Sequence, residues 1–337
     1  MGRSYPVRVL GTGAYLPRRK VMSTALDAEH GRPPGTAQAR SGVRQRHWAD
    51  ASETSSRMAA AAVRDALTAA GLGPADLDAV IAASVVPEQP MPTNAVLTLR
   101  ELGMDSRCGD GVEGFDVNAS CLGFLTAFEL ATLGIAAGRW DTVAVVATEI
   151  ASKALNHRDV ESSALFGDGA AAAILGRAPD GDADPQVLSL RFETWSDGAD
   201  LCQVAGGGTR WNVVTPPPDP RAYLFAMDGL GIMKLAAGTL PAFLSKVLAQ
   251  AGTTLADIDV IVPHQVSHLG LRYLRERLGA PAEKVVDLLE THGNQVSASL
   301  PTALHAAVAS GRLRRGDTAL LLGSAAGLSI GAAVLRF

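Results

Sequence analysis

The chain has 337 residues, 47% of them apolar and 19% charged, enough to bury a sizeable core in one or two domains and too apolar for a disordered chain. Its 30 Lys and Arg against 34 Asp and Glu leave a net charge of −4, so no broad positive field is available to a nucleic-acid backbone. Three cysteines, an odd number in a long chain, make no disulfide framework, and the opening MGRSYPVRVLGTG lacks the apolar centre of a signal peptide. A reducing, cytoplasmic setting without membrane or nucleic-acid partners is expected.

In chain order, VRVLGTG (from Val7) reads as a strand, with GTG at Gly11 to Gly13 expected to turn. Ser56 to Ala70 lacks Gly and Pro and predicts a helix that Gly71 closes. Leu122 to Ala137 carries one charge, Glu129, and predicts a helix buried on every side. The apolar runs AVIAASV, TVAVVATE, AAAAILG, VIVPHQ, ALLLGSA and AAVLRF predict strands alternating with Ala-rich helices, an α/β pattern. FGDGA at Phe166 to Ala170 lacks the Lys of a phosphate loop and reads as a turn between strands. Ala178 to Pro220, rich in Gly, Asp and Pro, reads as an excursion, and Leu271, Leu274 and Leu278 predict a helix ending at Gly279. The longest uncharged run, Thr318 to Leu335, is interrupted by Gly323, Gly327 and Gly331 and predicts strand, turn and strand rather than a membrane span.

The chain repeats itself. LTAAGLGPADLDAVI from Leu67 returns as LAQAGTTLADIDVIV from Leu248, a shift of 248 − 67 = 181, and Asp141-Thr142 returns as Asp317-Thr318, a shift of 176. Two copies of one unit, residues 1–178 and 179–337, follow from this spacing. Two sheets enclosing a pair of central helices, with further helices outside, would satisfy every apolar face.

Cys121, in GFDVNASCLGF, falls between a strand and the all-apolar helix. Free N–H groups and the helix dipole there favour thiolate over thiol, although a small buried core Cys fits the position alone equally well. His264, in DVIVPHQVS, ends the second-copy strand, where a neutral imidazole can exchange a proton or hydrogen-bond a developing carbonyl charge. Asn294, in HGNQVSASLP, follows Gly293 and offers an amide N–H to an oxyanion, though such an Asn is also a common cap. His292 reads as structural, and Cys108 and Cys202 lack metal-ligand spacing, so no metal site is expected.

GFDVNASCLGF, VPHQ, HGNQVSASLP and the closing LRF, in this order and separation, together with VRVLGTGAYLP, RSGVRQRHW and LFGDGAAAAIL, resemble the β-ketoacyl-acyl-carrier-protein synthase III enzymes of the thiolase superfamily. The resemblance implies an α/β fold, the thiolase-like duplicated five-layer αβαβα sandwich, and a homodimer. It implies that Cys121 accepts an acyl group from acyl-CoA or acyl-ACP. His264 and Asn294 then hold malonyl-ACP or malonyl-CoA while it loses CO2 and condenses. The backbone N–H groups of Cys121 and Ala326 would cradle the acyl oxygen. No cofactor is implied beyond coenzyme A and phosphopantetheine thioesters as substrates, with acyl carrier protein as partner.

Several positions depart from the family pattern. HQVS replaces HQAN, placing Ser267 near the pantetheine arm; Thr36 stands where an aromatic residue stacks on adenine, while Arg40 is kept. Ser324 opens SerAlaAlaGly where Phe Gly Gly Gly is usual, and Met91 falls where a Phe reaches into the partner's acyl pocket, whose ring Phe166 remains. Smaller or softer walls imply a longer or bulkier primer than acetyl. Acyl transfer to an alcohol or amine without condensation is the alternative, against which Asn294 counts; a non-catalytic partner subunit is opposed by Cys121.

Overall fold

The computed structural model describes residues 4–106, 111–178, 186–277 and 279–337; Cys108 and Leu278 lie outside the described residues. The first half contains β1 (Val7–Tyr15), β2 (Arg19–Met22), α1 (Ser23–Glu29), α2 (Thr36–Ser41), β3 (Gln45–Trp48), α3 (Ser55–Ala70), β4 (Ala79–Ala83), α4 (Asn94–Leu102), β5 (Glu113–Val117), α5 (Gly123–Ala136), β6 (Thr142–Glu149), α6 (Val160–Ser163) and β7 (Gly169–Arg177). The second contains β8 (Gln186–Gly198), β9 (Cys202–Gln203), β10 (Ala226–Met227), α7 (Gly229–Ala251), β11 (Val260–Pro263), α8 (His268–Arg277), α9 (Leu289–His292), α10 (Ser299–Ala309), β12 (Thr318–Ala325) and β13 (Gly327–Arg336).

One sheet runs β1-β7-β6-β4-β5 and the other β8-β13-β12-β11, the same order with the fifth place reduced to a bridge between Ile261 and Val285. The likeness extends to single atoms. Asp78 Oδ2 accepts the Thr142 N–H at 2.8 Å, and Asp259 Oδ2 accepts the Thr318 N–H at 2.8 Å. Asp76 and Asp257 each accept the N–H that opens a short turn, at 2.7 and 3.0 Å.

Alternate residues of each strand serve different layers. Ile81, Val145 and Ala173 face α5 and α10, which form the central layer with Leu321 and Ala333 of the other sheet. Val80, Val146 and Ile174 meet α3 and α4 outside, while Leu320, Leu322 and Val334 meet α7 and α8. Both sheets are therefore buried on both faces, which is why their strands read as unbroken apolar runs. The five-layer sandwich follows from that burial.

Three expectations need correction. GTG is no turn: Gly11 and Gly13 lie inside β1, paired with Ile174 and Ala172. A Cβ at Gly11 would stand 2.3 Å from the Ala66 carbonyl oxygen, and one at Gly13 2.3 Å from that of Ala62. The glycines are there because the backbone of α3 lies directly on β1. Helix α5 is not buried all round, since Leu130 and Leu133 are 38% and 42% exposed on the face that this chain leaves uncovered. The segment Ala178 to Pro220 contains β8, a full 13-residue strand paired with β13; its alternating QVLSLRFE outweighed the flanking Gly and Pro.

Thr318 to Leu335 forms the β12–β13 hairpin, paired from Thr318 with Arg336 to Ala325 with Ser329. By length and composition α7 is apolar enough to cross a membrane, but it packs on β8 and β13 and buries Phe243, Leu244 and Val247. Because the contact of α3 with β1 has no space for a methyl group, Gly13→Ala is expected to lower stability by about 1–3 kcal/mol. Urea unfolding of the purified protein measures the loss, and an unchanged midpoint would refute the close-packing account.

Candidate active site

Strand β5 leads into a tight turn in which the Ser120 N–H donates to Asn118 Oδ1 at 3.0 Å. Ser120 adopts a left-handed φ of 51°, and Cys121 follows it immediately before α5. In the second copy Val296, 176 residues on, has a φ of 53° just before Ser297. A β-branched residue rarely accepts that conformation, so the two turns are held by what packs around them at about 1–3 kcal/mol each.

The sequence led us to expect a thiolate at Cys121. Instead burial, followed by the nearby Glu149 and Cys202, pushes the thiol up to about 12, against hydrogen bonds from the backbone N–H groups of Cys121 and Ala326 that favour the thiolate. Desolvation outweighs the end of a helix because a charge at this half-buried position loses more in hydration than partial dipoles return. Ala326, between β12 and β13, thus meets Cys121 across the two copies.

His264 closes β11, its N–H bonded to the Leu322 carbonyl at 2.8 Å. The ring is 3% exposed, and neither nitrogen has a hydrogen-bond partner among the described residues. Burial lowers its pKa to about 4, so the imidazole is neutral at physiological pH. Gln265 locks the turn behind it: Nε2 donates to the Pro263 and Val286 carbonyls at 2.8 and 3.1 Å, and Oε1 accepts the Leu288 N–H at 2.7 Å.

Asn294 Nδ2 donates to the Val266 carbonyl at 3.2 Å, and its Oδ1 accepts the Val296 N–H at 2.8 Å. With the oxygen turned to the backbone, the amide's second N–H remains for a guest. Gly293 precedes it with a φ of 67°, where a Cβ would lie 2.5 Å from the Leu165 carbonyl oxygen; only glycine lets this turn press against the segment carrying Phe166. Asn294 is thereby tied through Val266 to the main chain of His264, whose carbonyl accepts the Val266 N–H at 2.9 Å. Gly323 on β12 brings Leu122, the neighbour of Cys121, to the same place, since a Cβ there would stand 2.8 Å from Leu122 Cδ2 and 3.6 Å from His264 Cβ.

The remaining candidates separate. Phe166 is buried edge-on against Phe225, ring centroids 4.9 Å apart. Ser267 Oγ accepts the Gly270 N–H at 3.1 Å and so caps α8. Ser324 and His264 line a cleft of about 80 Å³ between α7, α8 and the ends of β11 and β12. Arg40 is exposed in the last turn of α2, and Met91, 80% exposed on the loop before α4, lies outside that cleft. Among the described residues no cluster of three His, Cys, Asp or Glu could hold a metal.

Sequence reasoning missed Glu149 and Ser297. The Ser297 hydroxyl donates to Glu149 Oε1, which also accepts the Val85 N–H at 2.8 Å. Burial raises the carboxyl to about 7, beside Cys121. A lone Glu ending the apolar run TVAVVATE was the available signal. Cys202, singled out in the sequence only for lacking metal-ligand spacing, lies on β9 opposite Met227, near enough to raise the Cys121 pKa.

Ionised Glu149 disfavours the thiolate, so Glu149→Gln removes a cause that raises the Cys121 pKa. The alkaline rise in Cys121 alkylation by iodoacetamide is expected to move to lower pH in this variant, followed by intact mass from roughly the usual thiol value of about 8.5 up to the raised value of about 12. A shift to higher pH would contradict the electrostatics described above.

Residues 115–198 match the family described as 3-oxoacyl-[acyl-carrier-protein (ACP)] synthase III, and residues 248–337 match its C-terminal part. The chain is 34% identical over 330 residues to a beta-ketoacyl-[acyl-carrier-protein] synthase III of Methylococcus capsulatus, covering 98% of each. It is 34% identical over 331 residues to the acetoacetyl CoA synthase NphT7 of a Streptomyces species, again covering 98% of each. The priming beta-ketosynthase of the R1128 polyketide biosynthetic pathway superposes with a TM-score of 0.88 at 31% identity, covering 99% of this chain and 97% of that one. The duplicated fold and full-length likeness make one assignment: this chain belongs to the 3-oxoacyl-[acyl-carrier-protein] synthase III family of condensing acyltransferases.

Proposed function

We propose that residues 1–178 supply the nucleophile and residues 179–337 the decarboxylation site of a two-step Claisen condensation. The buried imidazole without a partner, beside the Asn294 amide, carries this reading. In the first step Cys121 Sγ attacks an acyl thioester. The carbonyl oxygen is held by the N–H groups of Cys121 and Ala326, the thioester C–S bond breaks, and the Sγ proton ends on the departing thiol.

In the second step a malonyl thioester places its carbonyl at His264 and Asn294. Its C–CO2 bond breaks, and the electron pair passes to an enolate whose oxygen both groups hold. The enolate carbon attacks the acyl carbonyl, the bond to Cys121 breaks, and the thiolate takes up one proton. The products are a β-ketoacyl thioester and CO2. A neutral imidazole suits this step because it donates to the oxyanion without having to lose a charge, and one such donor is worth about 3 kcal/mol.

The relatives are named for products on a carrier protein and on coenzyme A, and both thiols suit the same thioester chemistry in this chain. We place the enzyme in the cytoplasm as a homodimer, Arg40 at the coenzyme A or carrier-protein side and the exposed Met91 directed at the acyl pocket of a second copy. No resident cofactor is required, because the thioester and the side chains account for every electron pair.

Incubation with a panel of acyl-CoAs is expected to add an acyl mass to the protein but not to Cys121→Ala; absence of any adduct on the wild type would remove the nucleophile assignment. Asn294→Ala is expected to retain that adduct while CO2 release from malonyl-CoA falls about 100-fold or more. Loss of neither activity would rule out the oxyanion role. As burial keeps His264 neutral down to about pH 4, CO2 release is expected to show no acid limb from this residue between pH 5 and 8 (a window chosen from roughly the usual His pKa).

A further inference from the structure

We infer that Asn118 is a positioning residue for the acylation step: its carboxamide sets the Ser120-Cys121 turn so that the Cys121 N–H points at the oxygen of the incoming acyl group. This rests on the proposed acyl transfer to Cys121. Asn118 Oδ1 accepts the Ser120 N–H at 3.0 Å, and Nδ2 donates to the Val85 carbonyl at 3.2 Å. One short side chain thus ties the left-handed residue before the cysteine to the segment that follows β4.

The second copy contains the same brace at work. Asn294 stands 176 residues after Asn118, the shift that relates Cys121 to Ser297. Its carboxamide makes the same two bonds, accepting the Val296 N–H at 2.8 Å and donating to the Val266 carbonyl at 3.2 Å, and Val296 is left-handed as Ser120 is. In that turn the Ser297 N–H donates to the Glu149 carboxyl. The equivalent N–H, that of Cys121, is directed at its own sulfur together with the N–H of Ala326. The oxygen of an acyl group carried by that sulfur takes the place that the Glu149 oxygen takes in the second copy.

The two braces are also connected. Val85, whose carbonyl holds Asn118, gives its N–H to Glu149 at 2.8 Å, and Glu149 accepts the Ser297 hydroxyl. A left-handed residue other than glycine persists only where its surroundings hold it, and an Asn bonded to the N–H two residues on is the local means. Without the carboxamide Ser120 relaxes and the N–H that follows it turns off the acyl oxygen, whereas the sulfur keeps its place on a rotatable side chain. A donor lowers the barrier only when it is aimed where charge develops.

The experiment treats the full-length protein in parallel with straight-chain acyl-CoAs, from acetyl to decanoyl, and with iodoacetamide, following the rate of each Cys121 adduct by peptide mass. Alkylation occurs at a saturated carbon and forms no oxyanion, so it reports on the sulfur alone. Asn118→Ala is expected to lower the ratio of acylation to alkylation rates about tenfold or more. Asn118→Asp keeps the acceptor for the Ser120 N–H, and its ratio is expected to return to within about threefold of wild type, any effect of its charge on the thiol entering both rates alike. Should Asn118→Ala fail to fold by circular dichroism, Asn118→Ser, with a shorter and weaker acceptor, is expected to lower the ratio about threefold. A ratio unmoved in a folded variant, an equal slowing of acylation and alkylation, or a ratio as low in Asn118→Asp as in Asn118→Ala overturns the inference. A wild type that is alkylated but takes no acyl group from any acyl-CoA instead overturns the acyl-transfer reading itself, and this role with it.

Discussion

Both nitrogens of the His264 ring lie out of water with no hydrogen-bond partner among the described residues, and the rest of the site is organised around that deficit. An unpartnered buried polar group costs about 1–3 kcal/mol, and cores ordinarily replace such a group or satisfy it. Here the main chain is committed instead. The His264 N–H goes to Leu322, its carbonyl accepts from Val266, and the Gln265 carboxamide ties three further backbone groups. The ring is thus fixed from behind while its nitrogens stay available. A neutral carbonyl oxygen relieves the deficit partly and an enolate oxygen more fully, because charge-assisted hydrogen bonds are stronger. Binding that strengthens as charge develops is what lowers a barrier.

Duplication supplies the rigidity that this deficit demands. The turns at Ser120-Cys121 and Val296-Ser297 occupy equivalent places, and both carry a left-handed residue. Each is met by the opposite copy at a strand end. Cys121 meets the Ala326 N–H just beyond β12, and Ser297 bonds to Glu149 at the end of β6. Shifting Glu149 by the 176 residues that relate Cys121 to Ser297 lands on Ala325, next to Ala326. The contacts are therefore reciprocal. One copy keeps a sulfur at this position, to which the proposed reaction assigns the acyl group, and the other keeps a hydroxyl bonded to Glu149 across the molecule.

The layers were legible because they follow from periodicity. Strands buried on both faces must read as continuous apolar runs, and the repeat from Leu67 to Leu248 carries its capping Asp76 and Asp257 with it. What escaped depended on partners distant in the chain. The glycines of β1 look like turn residues until α3 lies across them. The open side of α5 at Leu130 and Leu133 has nothing in its composition to distinguish it from the covered side. Glu149 gains its importance from Ser297 and Cys121, both remote in sequence. Of the site, Cys121, His264 and Asn294 were each visible as residues at the ends of elements, whereas the cleft between α7 and α8 was not, because a void is the absence of side chains from two helices at once.

The resting charge state also constrains how the site works. A thiol pushed up to about 12 and an imidazole lowered to about 4 are both uncharged at neutral pH. No ion pair stands ready between them, and a neutral thiol is a poor target for adventitious electrophiles. In the proposed condensation, negative charge arises only with a substrate present, first on the acyl oxygen at the two N–H groups and later on the enolate. Glu149, with its carboxyl near 7, is the acidic group beside Cys121 among the described residues. Protonated, it leaves each anionic stage unopposed; ionised, it repels all of them. Its burial therefore does more than complete a hydrogen bond to Ser297: by holding the carboxyl neutral well above the usual carboxylate range, the fold keeps a competing charge away from the sulfur until the pH passes the point where the carboxyl ionises.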